Sequence, residues 1–228
     1  MIREAFRLLW ETDHLLRTDE AHDLTLEQFD HDGDVPESWP TESGQTALPD
    51  LVVMTAGFGD VTYTDYPSND RDWPVMSKKM LAILLGVAEF GHQTVPVSIV
   101  DPVVRTEQEH EQAGALLETR WPDANREYVI VQLTDPVELD EEASGVARDP
   151  NLPWIVDVHQ YVFKQPASTL PPIFRLSIDP TVLYISATAR VALKAAGIAG
   201  PRYLPLEGYV DGGGDEVDIQ VPEPNVSD

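Results

Sequence analysis

Two segments far apart in the chain carry Ser, Leu, Gly and Pro at identical spacing, and this limits the possible folds more than any other feature. In the first, Ser77 is followed by Leu84, Gly91 and Pro96; in the second, Ser186 is followed by Leu193, Gly200 and Pro205. The offsets from Ser are seven, fourteen and nineteen in both, without a gap. A short apolar stretch precedes each Ser (Val75-Met76 and Tyr184-Ile185), and apolar residues flank each Pro: Val95 and Val97, then Leu204 and Leu206.

Each position has a physical reason. Ser suits a helix N-cap, where its hydroxyl accepts a hydrogen bond from an otherwise unpaired backbone N–H. The Leu lies two turns in, on the face that meets a sheet. Gly supplies a positive φ after the helix. Pro cannot donate to a strand ladder, so both second strands are expected at an edge or a bulge. No Gly-x-Ser-x-Gly elbow surrounds either Ser, so capping explains them better than nucleophilic catalysis. The expected fold is α/β or α+β, with two strand–helix–strand repeat halves sharing a mixed sheet. The halves cover about 51–101 and 173–210 within a single domain, 1–228.

The rest of the chain fits around this pattern. The stretch from Ile2 to Trp10 reads equally as helix or strand. An acidic, turn-rich surface segment spans 19–49, and the strand Leu51-Val52-Val53-Met54 follows. A helix begins at Ser77, and Thr94 to Val100 reads as a strand. Glu107 to Arg120 is a weaker helix, and Tyr128 to Leu133 is a strong strand. An acidic connection from Asp135 to Pro153 leads to strands at Trp154 to Phe163 and Ile173 to Leu176. Val182 to Ile185 then runs into a helix ending near Ala196, and Arg202 to Leu206 forms a strand. A flexible, glycine-rich acidic tail, 211–228, is expected to close the chain.

Charge narrows the partners. Forty Asp and Glu stand against fifteen Lys and Arg, giving a formal net charge of −25. Such a surface repels nucleic-acid phosphates and anionic lipid and attracts cationic partners. The same composition, with four Lys against eleven Arg, also fits adaptation to a salty cytoplasm. No apolar run reaches the roughly eighteen residues that span a bilayer. Acids interrupt the N-terminus and no small-residue cleavage site follows, so a cytoplasmic location is expected. With no cysteine, disulfides, thiolate metal sites and thiol catalysis are all excluded.

Signals for catalysis or cofactors are weak. Asp30-His31-Asp32-Gly33-Asp34 resembles a calcium loop, but the sixth and twelfth positions hold Val35 and Thr41 instead of Gly and Glu. Asp211 to Glu216 reads as a solvated tail, since no Lys-Ser/Thr follows its glycines. No two histidines have the spacing that puts two ligands on one helical face. Asp157 and His159 would share a strand face, suiting a metal or an acid/base pair, yet nothing else converges on them. No catalytic residue, metal or cofactor is expected.

A family resemblance carries more. The run Pro171-Pro172-Ile173-Phe174-Arg175-Leu176, then Leu183-Tyr184-Ile185-Ser186, Ala192 to Gly200, and Tyr203-Leu204-Pro205-Leu206 resembles a C-terminal signature. That signature belongs to immunity proteins of bacterial polymorphic toxin systems, family eleven, first catalogued as a domain of unknown function. Val75-Met76-Ser77 to Pro96-Val97, Tyr128 to Leu133, and Leu139 to Ser144 add to it, so the resemblance covers about 51–210. It implies a protein that binds and neutralises a cognate toxin without catalysis. The other readings are a metal-dependent hydrolase using Asp157 and His159, and an accessory interaction protein of a secretion system. Acids on expected exposed loops, Asp30, Asp32, Asp34, Asp140, Glu141 and Glu142, are the candidate toxin contacts, and a basic nuclease toxin would suit them best.

Overall fold

The computed structural model describes residues 4–10, 26–28, 50–56, 64–69, 71–100, 124–148 and 155–206. Eleven strands, three α-helices and one 3-10 turn (Ala167–Thr169) appear in the described residues. In chain order they are β1 (Ala5–Trp10), β2 (Leu26–Gln28), β3 (Val52–Ala56), β4 (Val75–Ser77), α1 (Lys78–Val87), β5 (His92–Val100) and β6 (Asn125–Leu133). Then follow α2 (Glu141–Ser144), β7 (Val146–Arg148), β8 (Ile155–Val158), β9 (Ile173–Leu176), β10 (Asp179–Ser186), α3 (Ala187–Ala195) and β11 (Pro201–Pro205). The class is α+β. A five-stranded mixed sheet has the order β2-β3-β5-β6-β4, a four-stranded sheet β11-β1-β10-β9, and β7 pairs with β8.

The two strand–helix–strand segments lie in different sheets, which corrects the expectation that they share one. Their wiring is nonetheless the same. β4 and β5 both pair antiparallel with β6, so they run parallel to each other with β6 between them. β10 and β11 both pair antiparallel with β1, which separates them in the same way. The register agrees to the residue. Met76 and Pro96 both stand opposite Val129, and Ile185 and Pro205 both stand opposite Phe6. A helix crossover between parallel strands leaves room for one more strand. β6, which follows β5 in the order of elements, fills it in the first unit, and the N-terminal β1 fills it in the second.

The matched residues do matched work locally. Ser77 accepts from Met80 N at 3.0 Å and Ser186 from Ala189 N at 3.3 Å, capping α1 and α3. Leu84 and Leu193 are both completely buried. They belong to one core that also takes Met80 and Ala189 from the helices, Phe6 and Leu8 from β1, and Val129 and Val131 from β6. Removal of each Leu side chain from water contributes about 1.5–3 kcal/mol.

The glycines and prolines depart from expectation in part. Gly200 has φ +96°, but Gly91 is not in the left-handed region; it is held by space, since a Cβ there would meet the Asp135 and Thr134 side chains. The positive φ directly after α3 belongs to Gly197. Pro205 lies on an edge strand, as expected. Pro96 lies on an interior strand, just before the parallel ladder with β3 begins at Val97 and beside a register shift between Val97 and Ile99.

β6 is buried on both sides from Tyr128 to Leu133. In β6, Val129, Val131 and Leu133 face the helices, while Tyr128 and Ile130 join Val52, Met54, Trp73, Val95 and Val97 on the far side. A third core lies against the four-stranded sheet, where Phe174 and Tyr184 stack at 5.7 Å and Val137, Leu139 and Leu170 cover them. This third core, through Leu139, anchors the acidic turn at α2.

Candidate functional site

The candidate residues Asp140, Glu141 and Glu142 are exposed and sit together on α2, a single helical turn fixed from below. Leu139, immediately before it, is 2% exposed and bridges to Phe163. Asp140 N donates to Val162 O at 2.8 Å, and the Asp140 carboxylate accepts from Ala143 N at 3.1 Å as the N-cap. Ser144 is buried, and its hydroxyl accepts from Val162 N at 3.1 Å. Gly145 ends the turn at φ +61°, a conformation that favours glycine. Gln160 Nε2 donates to Ala143 O at 2.7 Å and ties the turn to the loop after β8.

The three acids are therefore not equivalent. Asp140 is occupied with capping. Glu141 pairs with Arg148 at 2.8 Å, both about half exposed, so the pair is screened and weak. Glu142 makes no ion pair with a described residue and projects freely. Beside them, Glu138 pairs with Lys164 at 2.6 Å, and this hydrogen bond holds the Glu138 carboxyl below its ordinary range. Acids in the first turn also complement the positive end of a helix. The turn thus presents carboxylates from a backbone that cannot shift easily.

Asp30, Asp32 and Asp34 lie outside the described residues, as do most of the acidic segment 19–49, the expected helix at Glu107 to Arg120 and the tail 211–228. Asp157 and His159 do not share a strand face: β8 stops at Val158, and His159 falls in the bend beyond it. Its side chain lies under Gly145, where a Cβ would approach it to 3.1 Å. Among the described residues, no group of three or more His, Asp and Glu could hold a metal.

Sequence reasoning passed over two polar assemblies. Asp65 accepts from the Ser77 hydroxyl at 2.6 Å and from Ala199 N at 3.1 Å, and Asp65 N donates to Ala199 O at 2.9 Å. Next to it, Thr64 O accepts from the Tyr128 hydroxyl at 2.6 Å. Residues 64–66 therefore clasp the α1 cap, the α3–β11 loop and β6. The second assembly surrounds a register shift in β10 between Asp179 and Tyr184. Buried Arg175 donates to the Pro180 and Thr181 carbonyls that the shift leaves open, and burial lowers its pKa. Tyr184 donates to Asp179 at 3.2 Å; burial, then Asp179, pushes its hydroxyl well above the ordinary value. Both assemblies have structural explanations. Neither has a sequence signal, because Asp65 and Arg175 meet partners that local spacing does not encode.

No protein-family model matches the chain, and no curated protein matches it. No helix among the described residues is long and apolar enough to cross a membrane.

Proposed function

We propose that this chain is an immunity protein that neutralises a cognate bacterial toxin by binding it, without catalysis. The observation that carries the reading is the motif set from Pro171 to Leu206, which resembles the signature of that protein family. Its location would be the cytoplasm, where it would meet the toxin. The α2 turn supports a place for contact, because Glu142 and its neighbours project from a fixed backbone on a chain of net charge −25. A basic toxin would be steered toward such a surface, and exposed charges act mainly on the association rate.

The test is the gene product encoded beside this chain. Its toxic domain, expressed alone, should arrest cells, and co-expression of this chain should rescue them. The variant Asp140→Asn/Glu141→Gln/Glu142→Gln keeps the cap, since Asn caps as well as Asp. It should slow association by about tenfold at low salt and lose most of that deficit at high salt. Failure to rescue from any neighbouring toxin would reject immunity. Rescue with an unchanged association rate would reject the α2 turn as the contact.

A further inference from the structure

In a strongly acidic protein, the outward face of α1 and α3 is basic and apolar. The two helices pack against each other over a shared core. Their sequences, KKMLAILLGV and ATARVALKA, hold no acid; Arg190 is half-buried with its guanidinium 4.4 Å over the Phe6 ring, which leaves Lys78, Lys79 and Lys194 as the exposed cations. Three of the four lysines of the chain are therefore concentrated here. Lys78 and Lys79 occupy the first turn of α1, where the helix dipole disfavours cations. Asp65 lies 3.8 Å from Lys79, but Lys78 and Lys194 form no ion pair with a described residue. The nearest acid in sequence, Glu89, falls beyond the end of α1.

The apolar part of the face is also unexplained by folding. Val191 is 63% exposed and Leu85 40% exposed, the two largest exposures among the big apolar side chains described. Exposed Ala82 and Gly86 lie one turn apart on the same face of α1 as Leu85. A Cβ placed on Gly86 would meet nothing within 4 Å, so no internal contact calls for a glycine there. Glycine inside a helix costs about 1 kcal/mol relative to alanine. Its bare surface would let the backbone of another molecule approach closely.

We infer that the outward face of the α1–α3 pair docks an acidic amphipathic helix of a partner protein. Leu85 and Val191 meet its apolar side chains, Ala82 and Gly86 let its backbone approach, and Lys78 and Lys194 face its carboxylates. Charge complementarity selects this occupant. A second copy of the face would oppose lysine with lysine; a single short helix meets only this local patch, whereas extended nucleic acid or an anionic lipid surface would also meet the acidic remainder of a chain of net charge −25. The surface is separate from the α2 turn, which draws a basic partner, so the inference does not rest on the immunity reading.

The test uses the full chain and a fluorescein-labelled peptide with Leu at i, i+3, i+4 and i+7 and Glu at the outer positions, followed by anisotropy near physiological salt. Control peptides carry Lys for Glu or Ala for Leu. The wild-type chain should prefer the Leu/Glu peptide to both. Val191→Glu and Gly86→Leu should each weaken that binding by about tenfold or more, with circular dichroism preserved and the urea midpoint not lowered by either. Lys78→Glu/Lys194→Glu should reverse the preference toward the Leu/Lys peptide. Equal binding of both charge forms, no binding of either, or no effect of the two surface variants overturns the inference. So does a dimer, or attachment to phosphatidylglycerol vesicles, that Val191→Glu abolishes.

Discussion

Ser77→Ala and Ser186→Ala remove the same hydroxyl from equivalent places in the two units, yet the structure sets different costs. Both residues are buried, at 6% and 4% exposed. Ser186 makes one side-chain hydrogen bond to a described residue, accepting from Ala189 N at 3.3 Å. Its loss should cost about 1 kcal/mol, as for an ordinary N-cap. Ser77 accepts a shorter bond from Met80 N, at 3.0 Å, and also donates to the Asp65 carboxylate at 2.6 Å. A hydrogen bond to a charged group contributes about 1.5–3 kcal/mol. The Asp65 side chain is 17% exposed, so water replaces part of that bond and the low end applies. Ser77→Ala should therefore cost about 2–3 kcal/mol in total, roughly 1.5 kcal/mol more than its counterpart. Urea unfolding with unchanged m-values measures both. A cycle with Asp65→Ala adds a second readout: the two changes share one bond, so their combined cost should fall short of the sum. Equal costs at the two serines, or strict additivity with Asp65→Ala, would show that the clasp at residues 64–66 contributes nothing.

Other expectations follow from burial and backbone geometry. Leu84→Ala and Leu193→Ala should each lower stability by about 2–5 kcal/mol, and together depart from additivity by at least about 0.5 kcal/mol, because one core holds both. Gly200→Ala should destabilise by about 1–3 kcal/mol, as φ is +96° and a Cβ would meet Thr64. Gly86→Ala should stabilise by up to about 1 kcal/mol; thermal unfolding of this pair separates backbone strain from helix propensity. Burial pushes the Tyr66 and Tyr184 hydroxyls well above their ordinary pKa. Unfolded tyrosine ionises near pH 10, so the contribution of these residues is complete below that pH. It falls above it by about 3 kcal/mol per pH unit for two groups. Urea titrations between pH 9 and 11 should show this loss, and Tyr66→Phe and Tyr184→Phe should each flatten it.

Local grammar made some of this fold readable. Ser77, Ser186, Leu84 and Leu193 announce capped, one-faced helices through spacing alone, and both helices start at the residue after the serine. The expected strand at Tyr128 to Leu133 is also present within β6. Strand partners were not readable, because apolar periodicity does not say which strand fills a gap. Phe6 to Trp10 fits helix or strand until Ile185 and Pro205 are found on either side of Phe6. The same limit hid the separation into two sheets, and it left edge and bulge open for both prolines: Pro205 takes the edge, and Pro96 lies beside a register shift in an interior strand. For the candidate site, exposure of Asp140, Glu141 and Glu142 followed from an acidic connection. Their unequal roles did not, since Arg148, Gln160 and Val162 reach α2 from later in the chain.

On the proposed function this chain acts on a toxin by binding rather than by turnover, and a stoichiometric titration separates the two most directly. Activity of the toxic domain encoded alongside would be followed while this chain is added from well below to well above one equivalent. Binding requires activity to fall in proportion to added protein and to reach its floor at one equivalent, independent of incubation time. Full protection from a small fraction of an equivalent, growing with time, would contradict the account and point to catalysis. Undiminished toxin activity at excess would contradict it as well.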